Sequence, residues 1–448
     1  MDIVTQEIYD EQCRSKSILQ FAKKFKISSV LAQANVCKAK GVGVLTVFLQ
    51  LMSVGFSGKS LNRLLEEQKL TGKKDVFYRF MDSTSANWYN FIRLLSTLVI
   101  AAILHFFPQE EMPLLILDDT LHKRNRSKKV ELLTRVRDHN DGRYYRGFRC
   151  MTLGHHDGNT FLPIDFRLLS SQKESTRIYE ARSDLDRRTN GYKVRQMAVS
   201  NSYQIVFDMI AKQRTNARHV LFDSWFAEPV MFKTLRGLDL HGIGMLKAKK
   251  TTYYRFKGKL YHLEALYAQI KHLFPKEHSF VVVGVELQDG TPLSVTFVRD
   301  QHGKRDWLAI GSTDLSLSGQ QVIHLYSRRW NIETFFKTVK SFLGFAKECQ
   351  CRSFDAVVCS VAVVFTRYIM LAWQTQGLPP NHTEGQMFFR LFDEMQECTF
   401  DEALAIVAGE LEKAIVYFDN SILLAVSHFF SRLPLCFKPL HQVLSCET

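Results

Sequence analysis

The stretch "YSRRWNIETFFKTVK" at residues 326–340 sets a single glutamate among arginines, lysines and a tryptophan. At about 100° per residue, Tyr326, Arg329, Trp330, Glu333, Lys337 and Lys340 share one helical stripe about 100° wide. Ile332, Phe336, Val339 and Leu343 fall beside that stripe, so Glu333 is expected at the rim of a buried face. Such a helix needs no function by itself, because Arg329, Glu333 and Lys337 are four residues apart and suit ordinary salt bridges. The glutamate acquires chemistry only if other carboxylates converge on it.

Two apolar runs supply them. "LLILDDT" (114–120) and "RHVLFDSW" (218–225) both read as short buried strands that end on aspartate, Asp118 or Asp119 in the first and Asp223 in the second. If these strands are neighbours in one sheet, their ends meet and a later helix can lay Glu333 across them. Strand-end aspartates also serve as turn formers and helix caps. Three carboxylates at one point repel one another, and Mg²⁺ suits a site of few carboxylates that leaves positions for water and phosphate oxygens. Two such ions stabilise the attacking and leaving oxygens of an in-line displacement at phosphorus. The expected chemistry is phosphodiester cleavage or transfer.

The charge distribution agrees with a polyanionic substrate. Net charge is +14, yet residues 346–448 carry 7 Lys+Arg against 12 Asp+Glu, so the basic excess lies before residue 346. Residues 121–150 hold ten Lys+Arg, Lys128 and Lys129 among them, against Glu131, Asp138 and Asp141. Tyr144, Tyr145 and Phe148 are interleaved and suited to stacking on bases.

The elements that must position these groups are legible in outline. A chain of 448 residues, 46% of them hydrophobic, is long enough for two or three domains. Residues 1–108 read as helical and close at Pro108; "TGKKDVFYRF" (71–80) is the weak candidate there for reading bases. Residues 144–169 read as a β-hairpin about "HHDGN", which a turn explains without a metal site. A helix is expected over about 194–214, β-structure over 243–313, and a mostly helical, acidic tail over 346–448. The runs 91–107 and 357–373 each carry an arginine and read as core helices, not membrane spans. Nine scattered cysteines without a Cys-x-x-Cys pair, and an acidic start without a signal-peptide pattern, fit reduced thiols in a cytoplasm.

Tyr326, Arg329, Glu333 and Lys340 match the Tyr-(2)-Arg-(3)-Glu-(6)-Lys signature of bacterial insertion-sequence DDE transposases, and the chain from residue 1 to about 375 resembles the family called insertion sequence four. "LILDDT" is similar to the family's first-aspartate motif, which selects Asp118 over Asp119, and "VLFDSWFAEP" to its second, which gives Asp223. The resemblance implies an α/β fold: an RNase H-like catalytic core at 109–345 with a β-rich insertion at about 243–320. Helical N- and C-terminal segments flank it, the first (1–108) binding DNA and the second (346–448) serving as a dimerisation surface. It implies that Asp118, Asp223 and Glu333 ligate two Mg²⁺ ions, with Mn²⁺ able to substitute. Tyr326, Arg329, Lys340 and Trp330 would meet the DNA, Lys337 lies on the same stripe, and Lys128 and Lys129 belong to the basic run. The implied partners are double-stranded terminal inverted repeats, target DNA and a second copy of the chain. Two alternatives stand beside active transposition: a DNA-binding protein on this fold that has lost catalysis, against which the intact acidic triad and signature argue, and a nuclease that never joins strands.

Overall fold

The computed structural model describes residues 16–38, 40–108, 111–138, 141–273, 279–299, 307–348, 350–376 and 386–393. The chain divides into two compact units, residues 1–388 and 389–448; the sheet, the long helices and the cleft described below belong to the first.

Six helices open the described chain: α1 (Lys16–Lys24), α2 (Ile27–Gln33), α3 (Val44–Val54), α4 (Leu61–Glu66), α5 (Lys74–Met81) and α6 (Trp88–Phe106). Polar side chains start two of them. The Ser60 hydroxyl accepts from Arg63 N and Asn87 Oδ1 from Asn90 N, each satisfying an orphan N–H of the first turn. The segment 71–80 falls largely on α5, whose Lys74 and Arg79 are exposed.

The apolar runs become strands, as their composition requires. β1 (Leu114–Lys123), β2 (Thr134–Arg137), β3 (Tyr144–His156) and β4 (Phe161–Leu169) precede helices α7 (Asn190–Ala198) and α8 (Ser202–Ala211). After these come β5 (His219–Phe222), α9 (Pro229–Gly237), β6 (His241–Met245), β7 (Tyr253–Phe256), β8 (Lys259–His262) and α10 (Leu263–Ile270). Strands β9 (Phe280–Leu287), β10 (Pro292–Arg299) and β11 (Trp307–Ser312) complete one mixed eleven-stranded sheet, ordered β2-β3-β1-β5-β6-β11-β10-β9-β7-β8, with β4 on β3. Strands β1, β5 and β6 run parallel, while β3 and β4 are antiparallel to their neighbours. This mixed sheet is compatible with an RNase H-like core.

Residues 114–117 of β1 and all of β5 are buried on both faces, which is why they read as unbroken apolar runs, as parallel strands covered on both sides do. β9 instead alternates exposed and buried positions over its last residues. The β-rich stretch expected at 243–313 is present, with α10 inside it, and it extends the sheet through the pairing of β11 with β6. The hairpin β3–β4 turns at "HHDGN", where Asp157 Oδ1 accepts from Asn159 N and Thr160 N at 2.9 and 2.7 Å.

Two helix expectations need correction. The helix expected over about 194–214 is two, α7 and α8, because Asn201 caps a new start by accepting from Tyr203 N. The stripe at 326–340 likewise spans α11 (Gly319–Ser327) and α12 (Trp330–Ser341). Arg328 and Arg329 keep right-handed helical angles between them, but their N–H groups, like those of Asn331 and Ile332, donate three residues back, as in a 3₁₀ turn.

The last long helix, α13 (Phe354–Gln374), is apolar on every side and buried almost throughout, whereas α6 buries one face and exposes Leu98 and Phe106. Both pack on the sheet's β4 side; Ser96 of α6 donates to Pro163 O at 2.7 Å. At the centre of this layer lies Arg367, wholly buried. It donates to Leu51 O, Met52 O and Leu343 O at 2.6–3.0 Å and pairs with Glu348, tying α3 to the chain just beyond α12. Gly55 has no side chain because a Cβ there would enter the Arg367 guanidinium. Of the acidic, mostly helical tail expected over 346–448, residues 346–348, 350–376 and 386–393 are described, α13 among them; the remainder lies outside the described residues.

Arg367→Met should cost about 3–5 kcal/mol of unfolding free energy, since it strands three carbonyls and a carboxylate around an apolar side chain. Denaturant unfolding measures this, and a loss below about 1 kcal/mol would show that the hub is not structural.

Candidate active site

The parallel register of β1 and β5 pairs Leu117 with Phe222, so Asp118 and Asp223 are the next residues of two neighbouring strands. Their side chains open into the cleft where the parallel pairing of β1 with β5 stops, β1 itself running on to Lys123; the carboxyl side of parallel strands is the usual position for a ligand crevice. Lys247 follows β6 at the same edge. Helix α12 passes over this edge, and the three strands and the helix enclose a cleft of about 900 Å³ lined by Asp118, Asp119, Asp223, Glu333 and a ring of cations.

Three arrangements of charge define the site. Arg329 Nη1 donates to Asp118 Oδ2 at 3.2 Å and Nη2 to Glu333 Oε1 at 2.5 Å, so one guanidinium joins two carboxylates from separate elements. Arg149 of β3 grips Asp119 with two bonds of 2.8 and 2.6 Å. Asp223 Oδ1 accepts from Trp225 N at 2.9 Å in a tight turn after β5. Thus Asp119 is fully engaged by its arginine, while Asp118 meets one guanidinium nitrogen at longer range.

Burial and crowding perturb these groups. Asp118 is pushed up to about 8, first by burial and then by the charges of Asp119 and Asp223, with Arg329 opposing. Asp223 is raised by burial and by Asp119, against the Trp225 and Phe226 N–H groups and Arg329. Burial lifts Tyr326 to about 12, and it lowers Lys340. The acids are therefore short of positive charge, and all their donor atoms are hard oxygens, the kind that Mg²⁺ and Mn²⁺ prefer. In kind the donor set fits a divalent ion. Among the described residues, however, no three His, Cys, Asp or Glu side chains form a group that could hold a metal, and Arg329 stands between Asp118 and Glu333.

Six of the residues singled out by sequence line the cleft: Asp118, Asp223, Arg329, Glu333, Lys337 and Lys340. Tyr326 does not; the tightened turn sets its ring 5.8 Å from the Arg329 guanidinium instead. Trp330 is 62% exposed and off the lining, and Lys128 and Lys129 are exposed in the turn after β1, also off it. That basic segment is anchored from beneath: Arg195 bridges Glu131 and Asp355, and Glu131 N donates to Arg352 O at 2.9 Å. Sequence reasoning assigned no role to Trp225, an exposed indole with Arg149 at 5.5 Å and Lys247 at 5.3 Å from its ring, nor to the Lys123–Asp138 pair at 2.9 Å on the opposite wall. The "DSW" sequence after β5 carried a signal for Trp225; the others depend on strand register.

Residues 42–260 match the model of the DDE superfamily endonuclease family. The match supports a DDE-type endonuclease or transposase. It includes both Asp118 and Asp223 and ends before Glu333, so the third carboxylate rests on the geometry of α12 alone. No curated protein matches the chain. DDE endonucleases act on DNA with divalent metal ions, which accords with the acidic centre and basic walls of this cleft.

The raised Asp118 has a measurable consequence. Its folded-state pKa lies above its unfolded one, so the folded protein holds the proton longer, and ionising Asp118 costs stability that is absent below about pH 4. The cost is complete above about 8. Asp118→Asn should therefore raise the melting temperature of metal-free protein progressively from pH 5 to pH 9, by at least about 2 °C at the upper end, the shift produced by roughly 1 kcal/mol in a chain of this size. A gain that is flat with pH, or a loss, would contradict the assignment.

Proposed function

We propose that the protein is the transposase of a bacterial insertion sequence, acting in the cytoplasm, similar to the insertion sequence four family. It binds the terminal inverted repeats of its element, cleaves the DNA there in a metal-dependent step and joins the freed 3′-hydroxyl to target DNA. The observation that carries this is a single cleft in which Asp118, Asp223 and Glu333, from three separate elements, open among Arg149, Lys247, Arg329, Lys337 and Lys340. A generic phosphate-binding groove has no need of half-buried carboxylates at its centre, and a purely structural acid cluster has no need of cationic walls.

In this reading Asp118, Asp223 and Glu333 hold two Mg²⁺ ions, for which Mn²⁺ can substitute. When bound, the ions would supply the Lewis-acid stabilisation of the attacking and leaving oxygens. Lys337 and Lys340, on α12 beside the acids, take phosphate oxygens and fix the scissile group over the carboxylates. Arg329 does so too once it has let go of them, with Tyr326 steadying its plane. Lys128, Lys129 and the exposed Trp330 lie where a longer duplex leaves the cleft. Helices of residues 1–108 recognise the repeat, residues 109–345 form the catalytic core, and 346–448 serve a homodimer in a paired-end complex; of that last segment, 349, 377–385 and 394–448 lie outside the described residues.

Glu333→Ala should abolish Mg²⁺-dependent nicking of a duplex carrying the repeats that flank the coding region, by about a hundredfold or more, the order expected when a charge-stabilising group is lost, while repeat binding changes little. Unaltered cleavage would remove the core of the proposal. Lys337→Ala and Lys340→Ala should each lower the log–log salt slope of DNA binding by about one unit, and a slope unchanged in both would exclude their phosphate contacts. Joined products with a supercoiled target separate a transposase from a nuclease.

A further inference from the structure

Arg329 is bound in a way that its contact with DNA does not explain. Its guanidinium spans Asp118 and Glu333 at 3.2 and 2.5 Å, it is only 14% exposed, and its Nε has no acceptor among the described residues. The donor fork of an arginine matches two oxygens of one phosphate or carboxylate group. Here it is divided between two carboxylates, and the Nε–H is left without an acceptor among the described residues. The acids it occupies are two of the three proposed as metal ligands. A guanidinium and a divalent cation compete for the same oxygens, and like charges at this range repel.

We propose that Arg329 is a latch that couples metal loading to DNA binding. In the free protein it serves as counter-ion to Asp118 and Glu333 and keeps a divalent ion from bridging them; a DNA phosphate in the cleft offers the fork a better acceptor, and the carboxylates pass to the ion. This rests on the reading of Asp118, Asp223 and Glu333 as the ion site. Tyr326 is the pivot: its ring lies 5.8 Å from the guanidinium, so the head can swing towards the cleft while it remains against an aromatic face. Lys337 and Lys340 line the same cleft one and two turns beyond Glu333 on α12 and draw the phosphate to that side. Coupling between two ligands is reciprocal, so the ions strengthen DNA binding by the factor by which DNA strengthens theirs. The outcome is an enzyme that arms itself only on a bound strand.

Mn²⁺ binding to the full chain, followed by electron paramagnetic resonance of the free ion, tests this. Wild-type protein without DNA should bind Mn²⁺ weakly, and a duplex carrying the flanking repeats should tighten it about 5-fold or more, the ordinary range of coupling between two sites. Arg329→Gln should bind Mn²⁺ tightly without DNA, gain little from the duplex, and lose the binding when Glu333→Gln or Asp223→Asn is added. If Arg329→Gln binds within about twofold of wild type and Asp223→Asn still abolishes binding, the latch is wrong and the carboxylate site stands. If Mn²⁺ binding survives both carboxylate substitutions, the ion sits elsewhere and both fall. The wild-type comparison with and without duplex needs no variant, so it decides the question even if Arg329→Gln folds poorly: an affinity unaffected by the duplex overturns the latch.

Discussion

Carboxylates gathered at one point repel, and every other feature of this cleft answers that repulsion. Asp118 and Asp119 lie within β1 just past its parallel pairing with β5, and Asp223 follows β5 directly; Asp118 is lifted to about 8 by burial and by the other two. Arg149 neutralises Asp119 from β3, and Arg329 reaches from the start of α12 to Asp118 and Glu333. The protein therefore carries its own cations where a divalent ion would bring two charges. A site balanced in this way still leaves Asp118 raised, so its carboxylates remain under-compensated.

The scaffold holds this tension in place. Parallel pairing fixes Asp118 beside Asp223 because their strands are in register through Leu117 and Phe222. Glu333 depends on a different layer: α12 buries Ile332, Phe335 and Val339 and meets α13, whose Arg367 ties the segment beyond α12 to the N-terminal helices. The acidic centre thus spans a rigid sheet and a helix layer clamped by a single buried arginine. The cationic walls come from β3, from the end of β6 and from α12, so the phosphate-facing charge is also divided among elements that pack independently.

Much of this was legible because the signals are local. Unbroken apolar runs followed by aspartate pointed to Asp118 or Asp119 and to Asp223, since strands buried on both faces tolerate no polar residue before the cleft, and the family resemblance chose Asp118. Four-residue spacing placed Arg329, Glu333 and Lys337 on one face, and all three line the cleft although Arg329 sits within the tightened turn. Tyr326 lies before the turn and off the lining, with its ring 5.8 Å from the Arg329 guanidinium. The pairing of Arg149 with Asp119 was not legible: the two are diagonal neighbours across β1 and β3, a relation set by long-range register. Lys247 was hidden for the same reason. The break between α7 and α8 was local and still missed, since apolar spacing continued across an asparagine that prefers to cap.

The central claim is that Asp118, Asp223 and Glu333 face one metal site. Iron-directed hydroxyl-radical cleavage of the polypeptide tests it most directly: Fe²⁺ is allowed to occupy the site in the presence of repeat DNA, ascorbate and peroxide are added, and the cut positions are mapped. The account calls for three clusters of cuts, near residues 118, 223 and 333, all suppressed together by excess Mg²⁺ and by Asp223→Asn. Cuts at only one of these positions, or at none of them, would show that the three carboxylates do not share an ion.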